Sequence, residues 1–101
     1  MIGEFMSDIP YKSSNLIGIE KKFQPYFDKL VSEFGNDCDI FIRKYDYRRM
    51  MAAGIVNRYS NVAITIHFIK GNIPLGDPLN TNLLNKVKNH LISLNPEDSI
   101  L

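Results

Sequence analysis

The sequence has few of the residues that most often indicate a specific chemistry. It contains no tryptophan, one cysteine and two histidines among 101 residues. A single cysteine excludes an internal disulfide and is typical of a reducing compartment, so we expect a cytoplasmic protein; an excised periplasmic domain would look the same in sequence. Neither His67 nor His90 has a cysteine or an acidic residue at a metal-ligand spacing. We therefore predict no metal site.

Long apolar runs and a strong charge imbalance are also absent. The longest apolar run, residues 50–56, has seven residues, whereas a membrane helix needs about 20. We therefore predict a soluble protein without a membrane span. The 12 basic and 11 acidic residues leave a net charge of +1, which provides no general attraction to nucleic acid or anionic lipid.

The first five residues look like residues that a cloning vector encodes. Residues 1–5 end in Glu-Phe, which a common cloning site encodes, and Met6 follows directly. We interpret residues 1–5 as vector-derived and residues 6–101 as a single domain. Without Glu4 the acidic residues fall from 11 to 10 against 12 basic ones, so the net charge becomes +2.

The first periodic segment predicts an amphipathic helix. Its apolar residues fall within an arc of about 140° on a helical wheel, and they are Leu16, Ile19, Phe23, Tyr26, Phe27, Leu30, Val31 and Phe34. Ser14 or Asn15 can cap the start of this helix, and Gly35 can cap its end. Pro25 lies opposite the stripe, so either the helix kinks there or a short turn precedes a helix that begins at Pro25.

Three strands are predicted next. The sequence changes to a period of two at Cys38, and this alternation continues toward Tyr45. Residues 62–70 alternate most strongly, with Val62, Ile64, Ile66 and Phe68 on one face and Ala63, Thr65, His67 and Ile69 on the other. Residues 49–57 suit either a short helix or a strand, and we prefer the strand because residues 57–61 then connect it to the next one.

A loop and a second helix complete the chain. Residues 71–78 contain two glycines and two prolines, which predicts a loop. This loop lacks the Gly-Lys-Ser/Thr ending of a phosphate-binding loop, so we expect no nucleotide cofactor. Asp77 and Pro78 suit the N-cap and first turn of a helix with the stripe Leu79, Leu83, Leu84, Val87, Leu91 and Leu94. We expect residues 97–101 to be frayed.

This order of elements predicts an α+β domain. The simplest arrangement is a helix, a three-stranded antiparallel meander and a helix, with both helices on one face of the sheet. The other face then points outward and carries Phe41, Arg43, Tyr45, Thr65, His67 and Ile69. Truncation of Thr65 or His67 should then cost little stability.

The strongest polar feature is a basic and aromatic segment from Arg43 to Arg58. It contains five basic residues and one acidic residue, a local charge of +4, together with Tyr45 and Tyr47. Such interleaving can hold phosphates and stack on bases. The same residue types are also enriched at protein interfaces, and they can simply solvate the end of a hairpin.

We predict a small protein-interaction module without enzymatic activity, of regulatory, adaptor, secretion-accessory or inhibitor type. It would dock through the open sheet face or edge, on a partner protein or as a homodimer. The predicted contact residues are Phe41, Arg43, Tyr45, Tyr47, Arg48, Arg49, Arg58, His67 and Ile69. The alternative is a nucleic-acid-binding module that uses the segment from Arg43 to Arg58. A small hydrolase or nuclease comes third, because the sequence offers no set of acid, base and transition-state stabiliser.

Overall fold

The structure, a computed structural model, describes residues 5–45, 51–60, 62–68, 79–93 and 98–99. This part of the chain contains β1 (Phe5–Pro10), α1 (Gln24–Phe34), β2 (Cys38–Tyr45), β3 (Met51–Asn57), β4 (Ala63–Phe68), α2 (Thr81–Ser93) and β5 (Asp98–Ser99). A 3₁₀ turn at Ser13–Asn15 and a 3₁₀ helix at Gly18–Phe23 connect β1 to α1. No helix in these ranges is long and apolar enough to cross a membrane.

The strands form one sheet in chain order. Strands β1 to β4 pair antiparallel with their neighbours, and β5 pairs parallel with β4. The predicted α+β class is confirmed, and the predicted meander corresponds to β2, β3 and β4. The sheet is larger than predicted because β1 and β5 add a strand at each side. Asp98 and Ser99, in the end that was expected to be frayed, pair with Ile64 and Thr65.

Strand β3 resolves the ambiguity of residues 49–57. The strand alternative is confirmed over Met51–Asn57, and the short helix is wrong for these residues. All side chains from Met51 to Ile55 are buried, because β3 lies between two neighbouring strands and is covered on both faces. A strand buried on both faces loses its apolar and polar alternation, which explains why the sequence pattern was unclear.

The first predicted helix consists of two elements with different geometry. Residues Gly18–Phe23 form a 3₁₀ helix, and α1 begins at Gln24 with Pro25 in its first turn. A turn followed by a helix was therefore the better alternative. Ile19, which was assigned to the buried stripe, is 77% exposed, because a 3₁₀ helix has 3.0 residues per turn and moves side chains off the α-helical stripe.

One cluster of buried side chains joins the helices to the sheet. It combines α1 and α2 with alternate residues of β2, β3 and β4, and includes Phe27, Leu30, Ile40, Ile42, Ala53, Ile55, Ile64, Ile66, Phe68, Leu84 and Val87. Phe68 lies among three aromatic rings, stacked on Phe23 at 4.9 Å and edge-on to Phe27 at 5.2 Å. Its ring is also tilted against that of Tyr26 at 5.7 Å. These contacts fasten the end of β4 to the start of α1.

The start of α2 is capped by a different residue from the one predicted. The side-chain oxygen of Asn80 accepts a hydrogen bond from the backbone N–H of Leu83 at 2.9 Å, so Asn80 is the N-cap of a helix that begins at Thr81. The predicted cap, Asp77 with Pro78, lies outside the described residues.

Truncation of the core face of β4 should strongly destabilise the protein. We expect Ile64→Ala and Ile66→Ala each to lower the free energy of unfolding by about 2–5 kcal/mol, because each leaves a cavity among buried side chains. The matched control is Ile92→Ala, since Ile92 is 84% exposed and its loss should stay within about 0.5 kcal/mol. Urea unfolding measures all three, and equal losses would contradict this assignment of the core.

Candidate functional site

The second face of the sheet is closed where it was expected to be open. Strand alternation places Arg43, Ala52 and Thr65 on this face, as predicted for Arg43 and Thr65. However, the exposed fraction is 4% for Arg43, 4% for Thr65 and 0% for Ala52. The expectation that Arg43 is a solvent-exposed rim charge is therefore wrong, and so is the expectation of an open face around Thr65.

Arg43 lies across this face and connects three strands. Its Nε atom is 3.3 Å from Oδ1 of Asp8 in β1, and its Nη1 donates a hydrogen bond of 2.6 Å to Oγ1 of Thr65 in β4. Between them the side chain passes over Gly54 of β3. A Cβ atom at position 54 would stand 2.6 Å from Arg43 Nε. Glycine is therefore required there for close approach of the arginine.

His67 shares this environment. Ala52 pairs with Arg43 on one side and with His67 on the other, so only a methyl side chain separates the two strand positions. His67 is half-buried. Burial lowers the pKa of its imidazole, and the charge of Arg43 lowers it further. The neutral form of His67 is therefore favoured in the folded protein.

Arg58 also uses its guanidinium group for hydrogen bonds within the protein. One guanidinium nitrogen, Nη1, donates to the carbonyl oxygen of Cys38 at 3.0 Å and to Oδ1 of Asp39 at 2.8 Å. The other, Nη2, donates to the carbonyl oxygens of Gly35 at 3.0 Å and of Asn36. The cation thus satisfies carbonyl groups just after the end of α1, where the helix dipole also favours positive charge. Arg58 joins the turn between α1 and β2 to the turn between β3 and β4.

The turn that follows β3 carries an exposed aromatic residue, Tyr59. The side-chain oxygen of Asn57 accepts hydrogen bonds from the backbone N–H groups of Tyr59 at 2.9 Å and Ser60 at 3.1 Å. The backbone N–H of Asn57 donates to the carbonyl oxygen of Val62 at 2.8 Å. Tyr59 is 79% exposed on this turn. The turn therefore fixes the backbone of Tyr59, while most of the residue's surface stays exposed.

A groove of about 410 Å³ lies beside this turn, and Arg58 lines it. It opens where β1 ends at Pro10 while β2 continues back to Cys38. Its apolar wall includes Pro10, Val31 and Phe41, and Val31 is 43% exposed. The two charged residues in its lining, Asp39 and Arg58, form an ion pair with each other at 2.8 Å. The groove therefore offers apolar surface rather than an unneutralised charge.

Tyr11 forms the inner wall of the groove. Its ring stacks on Phe27 of α1 at 4.8 Å, and its hydroxyl donates a hydrogen bond of 2.6 Å to Asp28. Burial raises the pKa of the Tyr11 hydroxyl, and the hydrogen bond to Asp28 raises it further. Tyr11 thus stays protonated and holds the chain against α1 after it leaves the sheet.

The edge of β1 is protected against strand addition near the groove. Pro10 has no backbone N–H, and its carbonyl oxygen accepts a hydrogen bond of 3.0 Å from the side-chain amide of Asn15. An edge strand with a proline and an occupied carbonyl group pairs poorly with a further strand. This end of β1 therefore does not support the predicted docking through a sheet edge.

Cys38 has the properties expected of a small hydrophobic residue. It is 3% exposed. Burial raises the pKa of its thiol, with a further contribution from the charge of Asp37, so the reactive thiolate is disfavoured. In the part of the chain that the structure describes, no group of three or more histidine, cysteine and acidic residues could hold a metal ion.

The remaining predicted contact residues divide into two groups. Phe41 is half-buried on the second face and also lines the groove, while Tyr45 belongs to the end of β2. Tyr47, Arg48, Arg49 and Ile69 lie outside the described residues. Sequence reasoning missed the groove and the exposed position of Tyr59 on the turn. The available signal was Asn57 two residues before an aromatic residue, since asparagine often organises a turn in this way.

Comparisons of the chain with protein-family models, with curated proteins and with solved structures found no match.

The contact between Arg43 and Thr65 should contribute measurably to stability. We expect Thr65→Val to lower the free energy of unfolding by about 1.5–3 kcal/mol, because it removes a hydrogen-bond acceptor from a buried cation. In an Arg43→Met background the same substitution should cost much less, since the donor is already absent. Urea unfolding of the four proteins gives the coupling energy, and additive losses would contradict the contact.

Protonation of His67 should destabilise the protein. Because the pKa of His67 is lower in the folded state than its ordinary value of 6.5, the unfolded chain binds this proton more readily. The contribution of neutral His67 to stability is therefore fully present above about pH 6.5, and it is lost as the pH falls through the folded pKa. Urea unfolding from about pH 7.5 to about pH 5 spans the ordinary histidine pKa of about 6.5. We expect His67→Gln to reduce the fall in the free energy of unfolding over this range. His90 is retained in both proteins, so an unchanged slope would contradict the assignment to His67.

Proposed function

We propose that this protein is a non-enzymatic protein-binding domain. Its contact surface is the groove together with the turn residue Tyr59, a combination that we call the Tyr59 surface. The observation that carries this proposal is the 79% exposure of Tyr59 on a turn fixed by Asn57 and Arg58. Regulatory, adaptor, secretion-accessory and inhibitor domains all act through contacts of this kind.

The physical properties of the Tyr59 surface suit a protein partner. Tyrosine supplies a large amphipathic contact area with few rotatable bonds, and it is enriched among the residues that dominate binding energy. Because hydrogen bonds hold the turn before any partner arrives, little backbone order has to be gained on binding. Val31 and Phe41 add apolar area beside it, as a binding pocket requires.

We infer that the two helices cover one face of the sheet, as expected from the sequence. Side chains from both helices share one cluster with alternate residues of β2 and β4. This arrangement leaves the Tyr59 surface at the end of the sheet where α1 finishes and β2 begins. The proposed contact thus uses an end of the domain in place of its second sheet face.

Nucleic-acid binding is the less favoured alternative. Its prediction relied on a local charge of +4 from Arg43 to Arg58. Arg43 is 4% exposed and bonded to Asp8 and Thr65, while Arg58 uses both Nη atoms for acceptors within the protein. Lys44 pairs with Glu20 at 3.2 Å. Three of the five cations in the segment are therefore engaged internally, which reduces what a phosphate backbone could contact.

Photo-crosslinking at position 59 tests the proposal. A benzoylphenylalanine at position 59 should crosslink to protein in the cell, and Val31→Lys should abolish this product by filling the groove and placing a charge in it. The matched control is the same probe at position 19, because Ile19 is 77% exposed. Its neighbour Glu20 contacts Lys44 near the opposite end of β2. Equal protein labelling from both positions, or crosslinks from position 59 to nucleic acid alone, would contradict the proposal.

A further inference from the structure

Exposed apolar side chains are concentrated at one turn of the domain, away from the Tyr59 surface. Among the described residues five large hydrophobic residues are exposed, and two of them, Ile17 at 69% and Ile19 at 77%, belong to this turn. Isoleucine is one of the residues most often buried. We propose that this turn, which we call the isoleucine turn (residues 17–22), binds a membrane surface by inserting its two isoleucines beside anionic lipid headgroups. This function goes beyond protein binding and uses different residues.

The backbone of the isoleucine turn is fixed in a conformation that leaves both isoleucines exposed. Gly18 has a φ of +61°, in the left-handed region that favours glycine. A Cβ atom there would meet no described atom within 4 Å beyond its chain neighbours, so the space around the turn is open. The backbone N–H of Ile17 donates to Oε1 of Glu20 at 3.0 Å, and the N–H of Glu20 donates to the carbonyl oxygen of Ile17 at 3.1 Å. These reciprocal bonds close the turn, and Leu16, at 2% exposure, attaches it to the core.

Two lysines lie directly beside the exposed isoleucines. Lys21 and Lys22 are both exposed, and neither forms an ion pair within the part of the chain that the structure describes. The Nζ atom of Lys22 lies over the ring of Phe23, 5.1 Å from its centroid, a contact that leaves the positive charge in place. Residues three apart lie on the same side of a 3₁₀ helix. Lys22 is therefore on the side of Ile19, so cationic and apolar groups share one surface.

The acidic residue of the turn does not cancel these charges. Glu20 pairs with Lys44 at 3.2 Å, so the local balance stays positive although the whole chain has a net charge of only +1. An anionic bilayer surface uses both features of the turn, because its headgroups attract lysines and its acyl boundary takes up apolar side chains. A nucleic acid would use the lysines alone, and an uncharged apolar groove would use the isoleucines alone.

The isoleucine turn and the Tyr59 surface lie toward opposite ends of β2. Glu20 contacts Lys44, the residue before the last of β2, whereas Arg58 donates to the carbonyl oxygen of Cys38, the first residue of β2. A membrane on the isoleucine turn therefore leaves the Tyr59 surface accessible. Mutations in one surface should leave the other active, so failure of one proposal does not decide the other.

Co-sedimentation of the purified chain with lipid vesicles tests the proposal. We expect binding to vesicles of phosphatidylcholine and phosphatidylserine in equal amounts, and none to phosphatidylcholine alone. Lys21→Gln and Lys22→Gln should each weaken binding about fivefold, because each lysine near an anionic surface contributes about that factor. The matched control is Lys86→Gln, since Lys86 is an exposed lysine of α2, and it should bind as wild type. No binding to the anionic vesicles, or equal losses for Lys21→Gln and Lys86→Gln, would overturn the proposal.

A single tryptophan reports whether the turn inserts. The chain contains no tryptophan, so Ile19→Trp adds a unique indole, whose emission should shift to shorter wavelength with the anionic vesicles because the ring leaves water. The matched control is Ile92→Trp, since Ile92 is 84% exposed on α2, and its emission should not shift. Unchanged urea midpoints would show that the variants are folded. Vesicle binding without a shift at position 19, or the same shift at both positions, would overturn the proposal. A chain that binds no vesicles but crosslinks to a protein from position 19 would assign the turn to a protein partner instead.

Discussion

The burial of β3 on both faces is the constraint on which the rest of this structure depends. On one face Ala53 and Ile55 join the cluster that contains the two helices. On the other face the small residues Ala52 and Gly54 leave room for the side chain of Arg43. A larger residue at position 54 would meet the arginine within 2.6 Å. The central strand therefore fixes both the hydrophobic core and the position of a buried cation.

Two arginines take on structural roles that charge composition alone would have assigned to a binding surface. A buried guanidinium is costly to desolvate, and it is retained here with a carboxylate of Asp8 and a hydroxyl of Thr65. Arg58 remains partly exposed, yet its hydrogen bonds complete the end of α1 and anchor the neighbouring turn. The planar, five-donor guanidinium suits both tasks, whereas a lysine at either position would satisfy fewer acceptors.

These internal roles move the proposed contact from the sheet face to the end of the domain. The face carries Arg43 and Thr65 at 4% exposure each, so it offers little surface around them. The end of the domain combines an exposed aromatic ring, an apolar groove and a sheet edge protected by Pro10 and Asn15. Protection of the edge also disfavours open-ended strand pairing.

The sequence by itself determined the α+β class, the strand that begins at Cys38, the parity of the β4 core residues and the inert character of Cys38, because these follow from local periodicity and composition. Only the tertiary structure decided that Phe5–Pro10 and Asp98–Ser99 join the sheet, since their pairing depends on partners far along the chain. It also decided that Arg43 is buried. Periodicity assigns a side chain to a face, but its exposure depends on what the neighbouring strands place beside it, here Ala52 and Gly54.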